Sequence, residues 1–74
     1  PLAILLLFRK ESETDTDVIY RFGGADPPFA RALTISKADY AVTVEDGRMD
    51  RMAIFVAGTA ISRHRQDGTW IEAG

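Results

Sequence analysis

Residues 33–66 read LTISKADYAVTVEDGRMDRMAIFVAGTAISRHRQ, and a change of rhythm inside them decides the fold. At first the apolar residues come at every second position: Leu33 and Ile35, then Tyr40, Val42 and Val44. Period two is the mark of a strand with one covered face. Two such runs joined by the short polar Lys37-Ala38-Asp39 make a β-hairpin. Past Asp46-Gly47 the rhythm lengthens, and Met49, Met52, Ala53, Val56, Ala60 and His64 fall on one helical stripe. The spacing predicts a helix over 48–66, opened at Asp46-Gly47, with Asp50 in the first turn where the helix dipole favours negative charge. Arg63, His64 and Arg65 suit its carbonyl end, and Gly68 is placed to stop it in a left-handed conformation.

Upstream, Val18–Phe22 reads as a strand with Val18, Tyr20 and Phe22 on one face. Gly23-Gly24-Ala25-Asp26-Pro27-Pro28 breaks it, and Phe29–Ser36 supplies the next strand. Glu11–Asp17 alternates acids with Ser12, Thr14 and Thr16; such a stretch buries nothing and reads as an exposed, mobile loop. Leu2–Phe8 is continuously apolar and ends at Arg9 and Lys10. It suits a strand covered on both faces, or one whose second face meets another subunit. Downstream, Thr69-Trp70-Ile71 returns as an edge strand or a clasp over the core.

These elements predict one small α+β domain over residues 1–74: an antiparallel sheet of three to four strands followed by one C-terminal helix packed on one face, in the order β-β-β-β-α. The expected core is Ile4, Leu6, Phe8, Tyr20, Phe22, Leu33, Ile35, Val42, Val44, Met52, Val56 and Ala60, with Trp70 covering its edge.

Size and composition narrow the function classes. A chain of 74 residues buries only about 60% of the surface it exposes when unfolded. Short domains often add disulfides, a structural metal or a partner subunit. There is no cysteine, and His64 is the one histidine, so zinc spacing cannot be written and no metal or cofactor is expected. Self-association is the aid that remains. A net charge of −2 and a pI near 5.2 argue against nucleic acid as the main ligand. Leu2–Phe8 is too short to span a bilayer, and neither a basic segment before it nor a small-residue cleavage site after it supports a signal peptide. The expected location is cytoplasmic, with no membrane partner.

The helix is the most informative element. Ile54, Phe55 and Ile61 lie off its apolar seam, and Ala57, Gly58 and Ala60 form a patch of small residues. A mid-helix glycine costs about 1 kcal/mol against alanine, which is easier to understand if something presses against it. Ile54, Phe55, Gly58, Ile61 and Trp70 are therefore the candidate interface of a homo-oligomer, most simply a dimer, or of a protein partner. The competing reading is a lone core helix wrapped by loops or by Trp70.

Other features carry weaker chemistry. The acidic segment Glu11–Asp17 lacks the glycine turn of a calcium loop; it reads as solvated, or as a docking surface for a basic target of a small acidic inhibitor or accessory protein. Arg48, Arg51, Arg63 and Arg65, with Arg21 and Arg31, make an anion site or a nucleic-acid face only if they converge; ion pairs are the default. His64, between two arginines in the last turn, reads as a surface or capping residue. Gly23-Gly24 lacks the following helix and lysine of a phosphate loop.

Pro1 followed by an apolar stretch is similar to the start of tautomerases with an amino-terminal proline. That resemblance implies a secondary amine acting as base or nucleophile, with arginines holding an acidic substrate. Those enzymes run quickly from the first strand into a long helix, whereas Glu11–Pro28 here brings a polar stretch, a strand and Gly/Pro breakers. Three classes stand in order: a non-catalytic interaction module, a small enzyme using Pro1, and a nucleic-acid binder using the helix arginines.

Overall fold

The computed structural model describes residues 8–23 and 29–74. Strands β1 (Phe8–Glu13), β2 (Asp17–Phe22), β3 (Arg31–Ser36) and β4 (Val42–Val44) precede helix α1 (Arg51–Asp67). The strands form one antiparallel sheet in the order β1-β2-β3-β4. This is an α+β fold, a four-stranded antiparallel sheet with a C-terminal helix against one face.

Register follows from the alternation. Val18 lies opposite Ile35, Tyr20 opposite Leu33, and Leu33 opposite Val44, which brings the apolar residues of β2, β3 and β4 to a common face. Phe8, Val18, Tyr20, Phe22, Leu33 and Ile35 are all buried there, and Ala53, Val56, Ala57 and Ala60 of α1 cover them. Three alanines on the inner face of the helix keep its backbone close to the sheet, so a thin core still closes. Of the expected core, Val42 and Met52 are half-buried at its margin, and Ile4 and Leu6 lie outside the described residues.

The first strand departs from expectation. Residues 2–7 lie outside the described residues, and β1 runs from Phe8 through Glu13, across Arg9 and Lys10 and into the acidic segment expected to be a loop. The charges are tolerated because none of them needs burial. Glu11 accepts from Arg21 at 2.7 Å, and Glu13 takes both Lys10 at 2.8 Å and Lys37 at 2.7 Å. A shift in register between Lys10 and Ser12 also breaks the strict alternation that would stack like charges. Only Thr14–Thr16 turns, with the Thr14 hydroxyl accepting from the backbone N–H of Thr16 and Asp17.

The hairpin shows a second departure. Its loop closes with Ser36 N–H on Ala41 O and Tyr40 N–H on Ser36 O, each at 2.8 Å, and Tyr40 takes φ of 62°. That left-handed position, commonly given to glycine or asparagine, shortens the expected strand Tyr40–Glu45 to Val42–Val44. Phe29 likewise sits before β3 at φ of 56°.

The helix starts later than the spacing predicts. Asp46 is consumed by a turn, its carboxylate accepting from Arg48 N–H at 2.9 Å while Gly47 donates to Val44 O. Asp50 is the N-cap instead, with its side chain accepting from Ala53 N–H at 3.1 Å. Met49 therefore falls outside the helix and is exposed, not part of the inner stripe. At the other end Gly68 stops α1 at φ of 77°, donating to His64 O.

The chain after α1 does both things expected of it, at different residues. Trp70 clasps the core, and Glu72–Gly74 pairs along the free edge of β1. Phe8 and Gly74 exchange backbone hydrogen bonds at 3.1 and 3.0 Å, and Lys10 N–H donates to Glu72 O at 2.7 Å. A Cβ on Gly74 would come within 2.5 Å of the Phe8 ring, so the strap lies directly on that side chain.

Candidate interaction face

The helix is held at both ends before its outer face has any meaning. At the N-terminus Arg31, reaching from β3, places its guanidinium 4.6 Å from the centre of the Phe22 ring. From there it donates to Asp46 at 2.7 Å, to both Asp50 oxygens at 2.9 and 3.1 Å, and to Arg48 O at 2.9 Å. One side chain thus ties β3, the connection and the helix cap together. The Arg31 guanidinium, with the backbone N–H of Arg48, holds the Asp46 carboxyl below its ordinary range. For Asp50 the larger cause is the Ala53 N–H, with Arg31 second.

At the C-terminus an aromatic cluster does the same work. His64 stacks on Trp70 with ring centres 4.2 Å apart, and Tyr40 meets Trp70 edge-on at 6.0 Å. The Tyr40 hydroxyl lies 2.8 Å from His64 Nδ1. His64 is therefore half-buried between hairpin loop and strap, not the surface cap expected of it. Tyr20 completes the closure by donating to Ile71 O at 2.8 Å, and burial pushes its phenol up to about 12.

With the inner face satisfied, the opposite face of α1 is left to solvent. Arg51, Ile54, Phe55, Gly58, Ser62 and Arg65 fall on one stripe at helical spacing, and all are exposed. Ile54 is 57% exposed and Phe55 52%. Among the described residues no atom lies within 4 Å of where a Gly58 Cβ would stand. Gly58, Ile61, Ser62, Arg65 and Gln66 line a shallow hollow of about 570 Å³ beside it.

The structure sorts the candidate interface. It brings Ile54, Phe55 and Gly58 together on the outer face and puts Ile61 at its border, half-buried against the core. Trp70 does not belong with them: it is 6% exposed and faces inward, because the strap needs a large apolar body to close the end of the core. The arginines do not converge. Arg21 pairs with Glu11, Arg31 is inside the cap, and Arg48 lies 3.6 Å from Asp50, leaving Arg51 and Arg65 on the stripe with Arg63 beside it.

Pro1 lies outside the described residues, and β1 passes through a tight turn to β2 with no helix between them. Among the described residues no group of three or more histidines, aspartates or glutamates is placed to hold a metal ion. Nor is any described helix long and apolar enough to cross a membrane. Sequence reasoning missed the Arg31 clamp and the Tyr40–His64–Trp70 cluster, whose members come from segments far apart in the chain. No family model matches the chain, and no curated protein or solved structure matches it either.

Proposed function

We propose that the chain is a non-catalytic protein-interaction module that docks through the outer face of α1. One observation carries this reading: two large apolar side chains stand exposed one turn before a mid-helix glycine, and nothing among the described residues touches the space above it. Ala53, Val56, Ala57 and Ala60 already close the core, so Ile54 and Phe55 contribute little to folding.

The magnitudes place the interaction in the weak class. Fully burying an Ile or Phe side chain is worth about 1.5–3 kcal/mol, so covering the exposed halves of Ile54 and Phe55 supplies about 1.5–3 kcal/mol in total. Two copies meeting face to face double that to about 3–6 kcal/mol, against an association cost of roughly 4–15 kcal/mol. Self-association through this face alone is therefore reversible and dependent on concentration.

The test is the double variant Ile54→Ser/Phe55→Ser, followed by urea unfolding. Exposed positions outside the core shift stability by less than about 0.5 kcal/mol each. A loss beyond about 2 kcal/mol shows that these side chains serve the chain's own core, and the docking reading is then wrong.

A further inference from the structure

Resting on that reading, we infer that the occupant of the α1 face is an acidic protein segment that carries apolar residues, such as an amphipathic helix with carboxylates at its margins. The inference comes from how charge is distributed. Between its N-cap Asp50 and its last residue Asp67, α1 carries three arginines and no carboxylate, in a chain whose net charge is −2. Of the cations elsewhere, Lys10, Arg21, Arg31 and Lys37 sit within 2.9 Å of a carboxylate, Arg48 lies 3.6 Å from Asp50, and Arg9 lies over the Phe29 ring. Among the described residues Arg51, Arg63 and Arg65 make no ion pair.

Position matters as much as sign. Arg51 and Arg65 stand at the two ends of the stripe, about 21 Å apart at 1.5 Å rise per residue, with Ile54, Phe55 and Gly58 between them. An apolar centre with a charged rim is the general anatomy of a protein docking site, and the rim sets partner choice more than affinity. The sign of this rim selects carboxylates.

Two other occupants fit less well. A second copy laid antiparallel about Gly58 brings Arg51 of each chain toward Arg65 of the other, and a parallel copy brings like arginines together; both meet repulsion. Nucleic acid presents a negative charge for about every 1.7 Å of duplex, which three arginines around an apolar strip match poorly.

The experiment selects a displayed library of helical peptides against the full chain. Their apolar face is held constant and their flanking positions vary between glutamate and lysine. Glutamate is expected to be enriched about tenfold over lysine, equivalent to about 1.4 kcal/mol. The Arg51→Glu/Arg65→Glu variant should reverse that preference, and Phe55→Ser should remove binding of both kinds. Absence of charge preference, or a preference for lysine, overturns the acidic occupant. So does retardation of DNA at low salt that depends on Arg51, or dimerisation by sedimentation that depends on Phe55 and excludes the peptides. Where Phe55 remains essential in those outcomes, the docking face survives and only its occupant changes. Binding of every kind that ignores Phe55 removes the face as well.

Discussion

Replacing Trp70 by alanine removes the side chain that seals one end of the core. Trp70 is 6% exposed, stacks on His64 at 4.2 Å and meets Tyr40 at 6.0 Å, so deletion leaves a void and strands two ring contacts. Buried Phe or Trp to Ala substitutions cost about 3–5 kcal/mol. At roughly 0.05–0.15 kcal/mol per residue, 74 residues have about 4–11 kcal/mol in all. The variant thus loses between about a third and the whole of its stability. At 4–8 °C per kcal/mol for a domain of this size, a 4 kcal/mol loss lowers Tm by roughly 15–30 °C. The assay is urea unfolding followed by helical circular dichroism, since the chain's one tryptophan is lost as a fluorophore. Trp70→Phe, which keeps a ring in the same place, should lose appreciably less than Trp70→Ala. A loss under about 1 kcal/mol for Trp70→Ala would refute the claim that the strap closes the core.

Three further outcomes follow from the cap, the charges and the glycine. Asp50→Ala should cost about 1 kcal/mol or more in urea unfolding, because it removes the helix cap and one partner of Arg31; Asp50→Asn, which keeps the capping oxygen, should cost less. Stability should fall in acid. Lys10 and Lys37 lower Glu13 from 4.5 to about 2, and Asp46 and Asp50 are also lowered, so their contribution is full above the unfolded pKa and drains away as pH falls toward 2. Urea midpoints measured from neutral pH downward check this, and a midpoint that rises in that window contradicts the ion-pair assignment. Gly58→Ala should stabilise the free chain by about 1 kcal/mol, since the new methyl meets nothing within 4 Å. The same variant should weaken capture of peptides on the α1 face, and a stability loss would mean that something within the chain already fills that space.

Much of this architecture was legible before any coordinate. Val18, Tyr20, Phe22, Leu33 and Ile35 alternate cleanly, and all are buried on one face as period two requires. Gly68 stops the helix at the expected position, because glycine takes the left-handed conformation without a Cβ penalty and donates to His64 O. The outer-face residues Ile54, Phe55 and Gly58 could be picked out because they exceed what one inner stripe uses. Trp70, expected both to cover the core edge and to join that face, does the first, since its sequence position says nothing about which way the strap turns.

What the sequence determined alone is therefore much of what local repetition governs: strand against helix over β2, β3 and α1, which of their residues share a face, and where glycine stops the helix. The tertiary structure decided the rest. Whether Glu11 and Glu13 lie in a strand depended on Arg21, Lys10 and Lys37 being near enough to neutralise them. Arg31 became a clamp on both Asp46 and Asp50 only because β3 lies beside the start of α1. His64 became an interior partner of Trp70 only when hairpin loop and strap met. The reason is common to all three: periodicity records how a residue relates to its near neighbours, whereas charge neutralisation and ring stacking depend on which distant segments folding brings within a few ångströms.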